Sequence, residues 1–440
     1  MASTNISRTL SSGAATTKFT YSVWLKYSGF VAGGQRWFSA IGTGDTYFRF
    51  NENGTMEISG YNSGATSLGY FITNRKFQDN SGWYHLVIKS DTTQSTEADR
   101  FKLYINGVQT TSFSTATYPN QNATDNINLA GNTQYIGGAA SSQYFNGVMS
   151  HVIYCDNYAY DASSFGETDS TTGEWKINTS PSVTYGTNGF YLLKDGNSLT
   201  DQSGNSNNFT LGGGTLTNTE DCPSNVFATV NAMAPATGNL TSLKYGNLEL
   251  KQQLNPYAWP VTLCGHTGKW YWEQKVSALG TTAVGILKQD KFPQKDSVFY
   301  PFAQATGYAY KNTGNKGNNN NDSSYGNSYT SGDILSVAFD QTNGTIWFGK
   351  NGTWQNNATD AQIAAGTTTY AAFSSMPTNG EFYGPFIYAD GSTEVASNFG
   401  NGYFGITAVA SAGTNASANG IFEYDVPAGF TALSTKGLNL

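Results

Sequence analysis

Large apolar side chains recur at every second position in many short stretches of this chain, and nowhere does a 3.6-residue period persist. Phe19-Thr-Tyr-Ser-Val-Trp-Leu places large residues at 19, 21 and 23 on one face, and Trp83-Tyr-His-Leu-Val-Ile-Lys has the same texture. Period 2 is the mark of half-buried strands. Further strands are predicted at Tyr47–Phe50, Phe101–Ile105, Gln134–Gly137 and Val148–Tyr154, joined by Gly, Asn and Ser of the kind that link antiparallel strands. Two runs, Phe101-Lys-Leu-Tyr-Ile-Asn-Gly-Val and Thr345-Ile-Trp-Phe-Gly-Lys-Asn-Gly-Thr, close on Asn-Gly, the dipeptide that tolerates positive φ at both turn positions of a two-residue hairpin. Asp161–Phe165 reads as a short helical turn with Asp161 as its N-cap. The prediction is an all-β chain with two separate sheet domains.

Composition sharpens that picture. Charged residues make up 12% of the 440, aromatics 14%, and there are 50 glycines. Surfaces must then be built mainly from Asn, Ser, Thr and Gly, while 38% hydrophobic residues suffice for two substantial cores. The net charge of −7, with no Lys/Arg cluster, argues against nucleic acid. Cys155, Cys222 and Cys264 are too widely spaced for a metal knuckle and odd in number, so they read as reduced thiols. The start, Met1-Ala-Ser-Thr-Asn-Ile-Ser-Arg, shows no basic and apolar secretory signal, and no apolar run reaches the ~20 residues that span a membrane. The expectation is a chain made in a cytoplasm and soluble there, with no membrane insertion. Its Asn-x-Ser/Thr sequons arise from composition.

The first half resembles the laminin G-like, concanavalin A-like jelly-roll family. The residues that carry the likeness are Tyr21-Ser-Val-Trp-Leu-Lys, Gly82-Trp-Tyr-His-Leu-Val, Lys102-Leu-Tyr-Ile-Asn-Gly-Val, Tyr135-Ile-Gly-Gly and Phe145-Asn-Gly-Val-Met-Ser, with Gly189-Phe-Tyr-Leu-Leu as a closing strand. In the second half Gly268-Lys-Trp-Tyr-Trp-Glu, Gly332-Asp-Ile-Leu-Ser-Val-Ala-Phe-Asp and Phe348-Gly-Lys-Asn-Gly resemble the SPRY (B30.2-like) sandwich. The resemblances imply two tandem antiparallel jelly-roll sandwiches, residues 1–215 and 225–440, with the Gly/Thr/Asn stretch 211–225 as linker. Such sandwiches bind sugars, bind proteins or serve structure alone. The pairing of the two also resembles structural proteins of tailed phages of aquatic bacteria. It implies a virion component on the exterior surface, a tail-fibre or receptor-binding protein, with other virion proteins and a host-surface glycan as partners.

An enzyme would need a constellation that the sequence does not assemble. Jelly-roll glycoside hydrolases place two carboxyl groups ~5–10 Å apart, and the nearest approach here, Glu167-Thr-Asp-Ser-Thr-Thr-Gly-Glu174, is interrupted by a turn. His85, His151 and His266 have no Ser or Cys partner in a recognisable motif. No catalytic residue is assigned, and no cofactor. Asp195-Gly-Asn-Ser-Leu-Thr-Asp201 offers oxygen ligands of the type Ca²⁺ takes, but Asx-turns account for it equally and no metal is assigned. Binding is instead expected from aromatic and amide-rich loops: Tyr308, Tyr310, Asn319, Asn320, Tyr325 and Tyr329 in the Asn/Gly-rich stretch 308–329, with Tyr257, Trp259 and Trp354 as further candidates. Alternative roles are a capsid decoration or head-fibre protein and, from another class, a glycan depolymerase. Because single modules hold sugars weakly, a homo-oligomer is expected, a trimer favoured.

Overall fold

In each half the alternating stretches become two antiparallel sheets packed face to face. The computed structural model describes residues 4–30, 32–62, 65–194, 196, 198–232, 240–252, 256–292 and 298–438. It divides into two compact units, Met1–Asn218 and Thr219–Leu440. Within the stretch 211–225, residues 211–213 belong to a strand paired with Asn5–Thr9 in the first unit, and Asp221 accepts the Phe227 amide in the second.

The first unit has an eight-stranded sheet ordered Phe113–Thr117, Ala65–Lys76, Thr55–Asn62, Gly44–Phe50, Gln35–Ile41, Thr133–Ile136, Asn5–Thr9 and Thr210–Gly213. Its partner sheet runs Phe190–Leu192, Gly147–Asp156, Lys18–Tyr27, Tyr84–Asp91, Phe101–Ile105 and Val108–Thr110. Phe19, Tyr21, Val23, Leu25 and Tyr27, alternate residues of one strand, bury their side chains against Phe38, Phe48, Phe50 and Phe71 from the facing sheet. Such aromatics dominate core energetics at ~1.5–3 kcal/mol for each large side chain fully buried. The other face of the six-stranded sheet is also covered. Val87, Tyr104, Ile153 and Tyr191 pack beneath Ala162, Phe165 and Trp175 of the segment that follows Asp156. That segment holds a three-residue 3₁₀ turn, Ala162–Ser164, where the sequence predicts a helical turn. Asp161 makes no capping bond there; its carboxylate takes hydrogen bonds from Lys89 Nζ and Tyr104 Oη instead.

The second unit repeats the plan. Its eight-stranded sheet runs Leu240–Lys244, Glu249–Gln252, Thr393–Asn398, Lys269–Ala278, Ile334–Asp340, Thr345–Lys350 and Thr353–Trp354, with Thr431–Ala432 added in parallel to Lys269–Ala278. The facing sheet is Tyr257–Pro260, Tyr383–Asp390, Thr281–Lys288, Gly307–Lys311, Asn315–Asn318 and Asn321–Ser324. The run Lys269-Trp-Tyr-Trp-Glu273 serves both faces of its strand. Trp270 and Trp272 enter the core between the sheets, whereas Tyr271 lies on the outer face under Phe422. A strand buried on both sides reads as a continuous apolar run, which explains the motif.

Both Asn-Gly turns form as predicted, and both use one device. Asn106 and Gly107 have φ of 48° and 78°, Asn351 and Gly352 φ of 50° and 78°. In each, the Asn amide donates to a carbonyl of the neighbouring strand and its side-chain oxygen accepts that same residue's amide: His85 for Asn106, Ile334 for Asn351. At Gly107 a Cβ would also meet the Trp175 ring at 2.3 Å. Gly107→Ala is therefore expected to destabilise the first unit by ~2–3 kcal/mol, positive-φ strain plus displacement of the indole. Gly131→Ala, at φ 88° with open space around it, should cost only the strain, ~1 kcal/mol. Denaturant unfolding of the two variants measures the difference; equal losses would remove the indole from the argument.

Candidate functional site

The aromatic candidates read from the sequence lie inside the second unit. The stretch 308–329 is an edge meander of strands Gly307–Lys311, Asn315–Asn318 and Asn321–Ser324 followed by a return into the core. Tyr310 is fully buried, stacks on Phe348 at 5.4 Å between centroids, and meets Tyr325 and Tyr329 edge-on or tilted. Tyr329 Oη donates to the Thr282 and Tyr310 carbonyls, Tyr310 Oη to that of Asn327, and Tyr325 Oη accepts the Phe348 amide. Tyr308 packs edge-on against Phe373. Tyr257 and Trp259 are fully buried too, with Trp259 Nε1 donating to Gln252. None of these six can present a ring face to a sugar, so the structure corrects their reading as binding residues. Burial of a large ring outweighs the loop-like composition of its neighbours. Asn319 and Asn320 are the exposed members of the set. They form the positive-φ turn between two short strands, and their amides donate to the carbonyls of Gln304 and Phe302.

Trp354 is buried, but it holds a residue that lines a groove. Nε1 donates to Asp360 Oδ1 at 2.8 Å, and Asp360 lies on the groove wall with Thr414, Asn415, Ala416, Asp425, Val426 and Ala428, around a volume of about 570 Å³. Asp360 opens the five-residue helix Asp360–Ala364, which a Thr359/Gln362 capping box starts. The opposite wall, 413–428, is held against the sheet by Glu273. This fully buried carboxylate accepts the amides of Glu423 and Tyr424 at 2.8 and 2.9 Å, Tyr271 Oη at 3.0 Å and Asn398 Nδ2 at 3.3 Å. Burial pushes its pKa up to about 7 against the hydrogen bonds that favour the anion. At the groove itself the amide and hydroxyl of Thr414 hold the Asp425 carboxyl below the usual range. Asp360 Oδ2 and Asp425 Oδ2 take part in none of these bonds, so the groove presents two exposed acceptors beside the small apolar Ala416, Ala428 and Val426. Two carboxylates thus line one groove, which the sequence did not bring together. A general acid needs a raised pKa, and Asp425 is shifted the other way.

The first unit holds two further polar clusters. On the outer face of the eight-stranded sheet the Tyr47 ring lies between Arg36 and Arg49, whose guanidinium carbons are 4.1 and 5.1 Å from its centroid. Arg36 forks onto Asp45 at 2.7 and 2.9 Å, while Glu57 takes Tyr47 Oη and Arg49. Both guanidinium groups are paired with carboxylates and rest on the ring, which suits a rigid surface. Across the other sheet, cross-strand register brings Ser22 within 2.8 Å of His85 Nε2, a Ser–His contact invisible in the sequence. Trp175 Nε1 donates to His85 Nδ1 at 2.9 Å from beside the ring, and the imidazole is stacked on Trp24. With Nδ1 accepting, neutral His85 carries its proton on Nε2 and donates to Ser22. It cannot take the serine proton, and burial lowers its pKa to about 3. His151 Nδ1 lies 2.6 Å from Ser150 Oγ and its ring is tilted against Tyr191, and His266 rests on Phe382.

Asp169 caps the turn between Gly166–Thr168 and Trp175–Ile177, accepting the amides of Thr171 and Thr172 and pairing with Lys176. Asp201 receives the amides of Tyr191, Ser203 and Asn207, the arrangement of an Asx-turn. Asp195 and Asn197 of the same loop lie outside the described residues. Among the described residues no three His, Cys, Asp or Glu side chains are grouped to hold a metal ion. Burial raises the thiols of Cys155 and Cys264 to about 12 and 11, so both stay protonated.

Residues 3–157 match the family model of the concanavalin A-like lectin/glucanases superfamily, and residues 269–402 match that of the SPRY domain. The SPRY domain of human HERC1 is 17% identical over 34% of this chain and 87% of its own, with a TM-score of 0.27. A second human SPRY domain is 20% identical over 34% and 90%, with a TM-score of 0.26. No curated protein sequence matches the chain.

Proposed function

We propose that this chain, a concanavalin A-like domain followed by a SPRY domain, is a non-enzymatic binding protein of a phage virion exterior, a tail-fibre or receptor-binding component that recognises host-surface glycan. The observation that carries the reading is the open groove between 413–428 and the helix at Asp360. Its two carboxylate acceptors beside small apolar side chains suit a ligand rich in paired hydroxyl donors. The low charge and amide-rich surface support the same reading. The virion assignment rests on the likeness of the domain pair to phage structural proteins.

The longest helix among the described residues has five residues, and none is long and apolar enough to cross a membrane. Lack of a helical stalk among them favours a compact knob, and it is the observation that supports the second reading, a capsid decoration or head-fibre protein.

The test is binding of the full chain to glycan isolated from the host envelope. Asp360→Asn with Asp425→Asn is expected to weaken it at least ~10-fold, the worth of one charge-assisted hydrogen bond, with the melting temperature unchanged. Unaltered binding would remove the groove from the proposal. Release of reducing sugar, abolished by either substitution alone, would overturn the non-enzymatic reading in favour of the depolymerase.

A further inference from the structure

Sheet edges in this chain are treated unequally. In the second unit each edge is blunted. Leu240–Lys244 ends in Lys244 beside Glu249, Tyr257–Pro260 ends in proline, Asn321–Ser324 carries Asp322 paired with Lys311, and Thr353–Trp354 is two residues long. These are the usual defences against edge-to-edge pairing. In the first unit Phe190–Leu192 is three buried residues, and Thr210–Gly213 is glycine-rich with a register break against Asn5–Thr9.

The remaining two edges of the four main sheets adjoin each other. Val108–Thr110 closes the six-stranded sheet and Phe113–Thr117 the eight-stranded one, joined by Thr111-Ser112. One rim of the sandwich is therefore a single run, Val-Gln-Thr-Thr-Ser-Phe-Ser-Thr-Ala-Thr, without a charge or a proline. Among the described residues no strand pairs with its outer side. A register break between Phe113 and Thr115 leaves 115–117 as the regular stretch. Val108 is 70% exposed, more than any other large hydrophobic described. Copies of a chain with net charge −7 repel wherever that excess is displayed. At this rim they approach without like charges facing each other, and an antiparallel strand edge is its own complement about a two-fold axis.

We propose that this rim docks a second copy of the chain, Phe113–Thr117 of each pairing antiparallel so that two eight-stranded sheets become one. The contact is isologous and closes at two copies, which favours a pair over the trimer expected from the sequence. It is independent of the glycan reading. An edge pair of this length is smaller than a permanent interface requires, so the association is reversible and depends on concentration.

Sedimentation velocity on the full chain, from micromolar to hundreds of micromolar, is expected to show a monomer–dimer equilibrium. Amides of 113–117 should gain hydrogen-exchange protection as the dimer forms. Ser114→Lys with Ala116→Lys, both at exposed positions, should raise the dimer Kd at least ~10-fold while leaving the melting temperature of dilute protein unchanged. Ser323→Lys, on an edge already blunted, should leave the dimer as it was. A monomer at every concentration, a trimer, or a dimer indifferent to the rim variant would each overturn the proposal.

Discussion

Glu273→Ala is expected to cost the second unit about 4 kcal/mol and to loosen the 413–426 segment before the rest of the sandwich unfolds. The carboxylate is fully buried and has four donors aimed at it, two of them backbone amides in a segment with no regular strand of its own. Removing it strands those donors at ~1–3 kcal/mol each, less whatever water recovers by entering. Asn398, one of the four, also accepts the amides of Gly400 and Gly402 and donates to the Ile421 carbonyl, so the loss spreads through a connected network. Glu273→Gln keeps the volume but offers one acceptor oxygen in place of two, and it should cost about half as much. Denaturant unfolding gives the total, and limited proteolysis locates it: the alanine variant should be nicked between 410 and 426 under conditions that leave the native chain intact. A loss below ~1 kcal/mol would show that the segment is held by its apolar contacts, Phe422 and Phe430, alone. The groove lined by Asp425 should lose its shape with the same variant, so glycan binding and stability are expected to fall together here and only here.

The role of Glu273 could not have been read from the sequence, and the reason is physical. Its partners Glu423 and Tyr424 lie 150 and 151 positions away, in a stretch whose composition is that of a loop. What the sequence does convey is local. Period-2 alternation fixes which side of a strand each residue takes, and Asn-Gly demands a positive-φ turn. The core strands and both hairpins were therefore legible, whereas the exchange of bonds at Asn106 and Asn351 that holds each turn to its neighbour emerges only in the structure. Tyr310, Tyr325 and Tyr329 were misread because the Asn and Gly around them carry low strand propensity. Tertiary burial overrode that preference: three short strands and a return segment place all three rings in one cluster on Phe348. A sequence signal existed, since Tyr308 and Tyr310 already alternate. Ser22 and His85 meet only through the register of two strands, and Asp360 and Asp425 line one groove only through the path of a covering segment. Neither pairing leaves a mark in the linear order of residues. The groove was thus invisible except through Trp354, the one aromatic candidate bonded to a residue that lines it.

Stability of the second unit should fall as pH rises from about 5 to about 8.5, by several degrees of melting temperature, and that of the first unit by less. Two buried acids set this direction. Burial raises Glu273 to about 7 in the second unit and Asp125 to about 7 in the first, where the nearby Asp156 adds to the shift and the Ile127 amide and Thr16 hydroxyl oppose it. Both values lie above those of the unfolded chain, so the folded state binds these protons more tightly. Their contribution is fully present below the unfolded carboxyl range near pH 4 and is lost as pH climbs through about 7, on the order of 3 kcal/mol per group. The opposite limb comes from His85 in the first unit, whose folded value of about 3 gives stability that grows as pH rises through the unfolded imidazole range near 6.5 and offsets much of the Asp125 loss, and from carboxylates held below their ordinary values. Glu57, bonded by Tyr47 and Arg49, Asp91, bonded by Thr93 and Gln94, and Asp333, bonded by the Thr330 amide and Asn351, give stability that is lost as pH drops below the usual carboxylate range. The maximum is then expected between about pH 4.5 and 6, on the acid side of neutrality. Calorimetry across that range measures it, with the two units followed as separate transitions where they resolve. Glu273→Gln supplies the internal control, because it removes the titrating group: the transition of the second unit should become nearly flat between pH 5 and 8.5 while that of the first keeps its slope. A native chain whose melting temperature is level or rising over the same interval would mean that both acids stay ionised in the fold, with their hydrogen bonds outweighing burial.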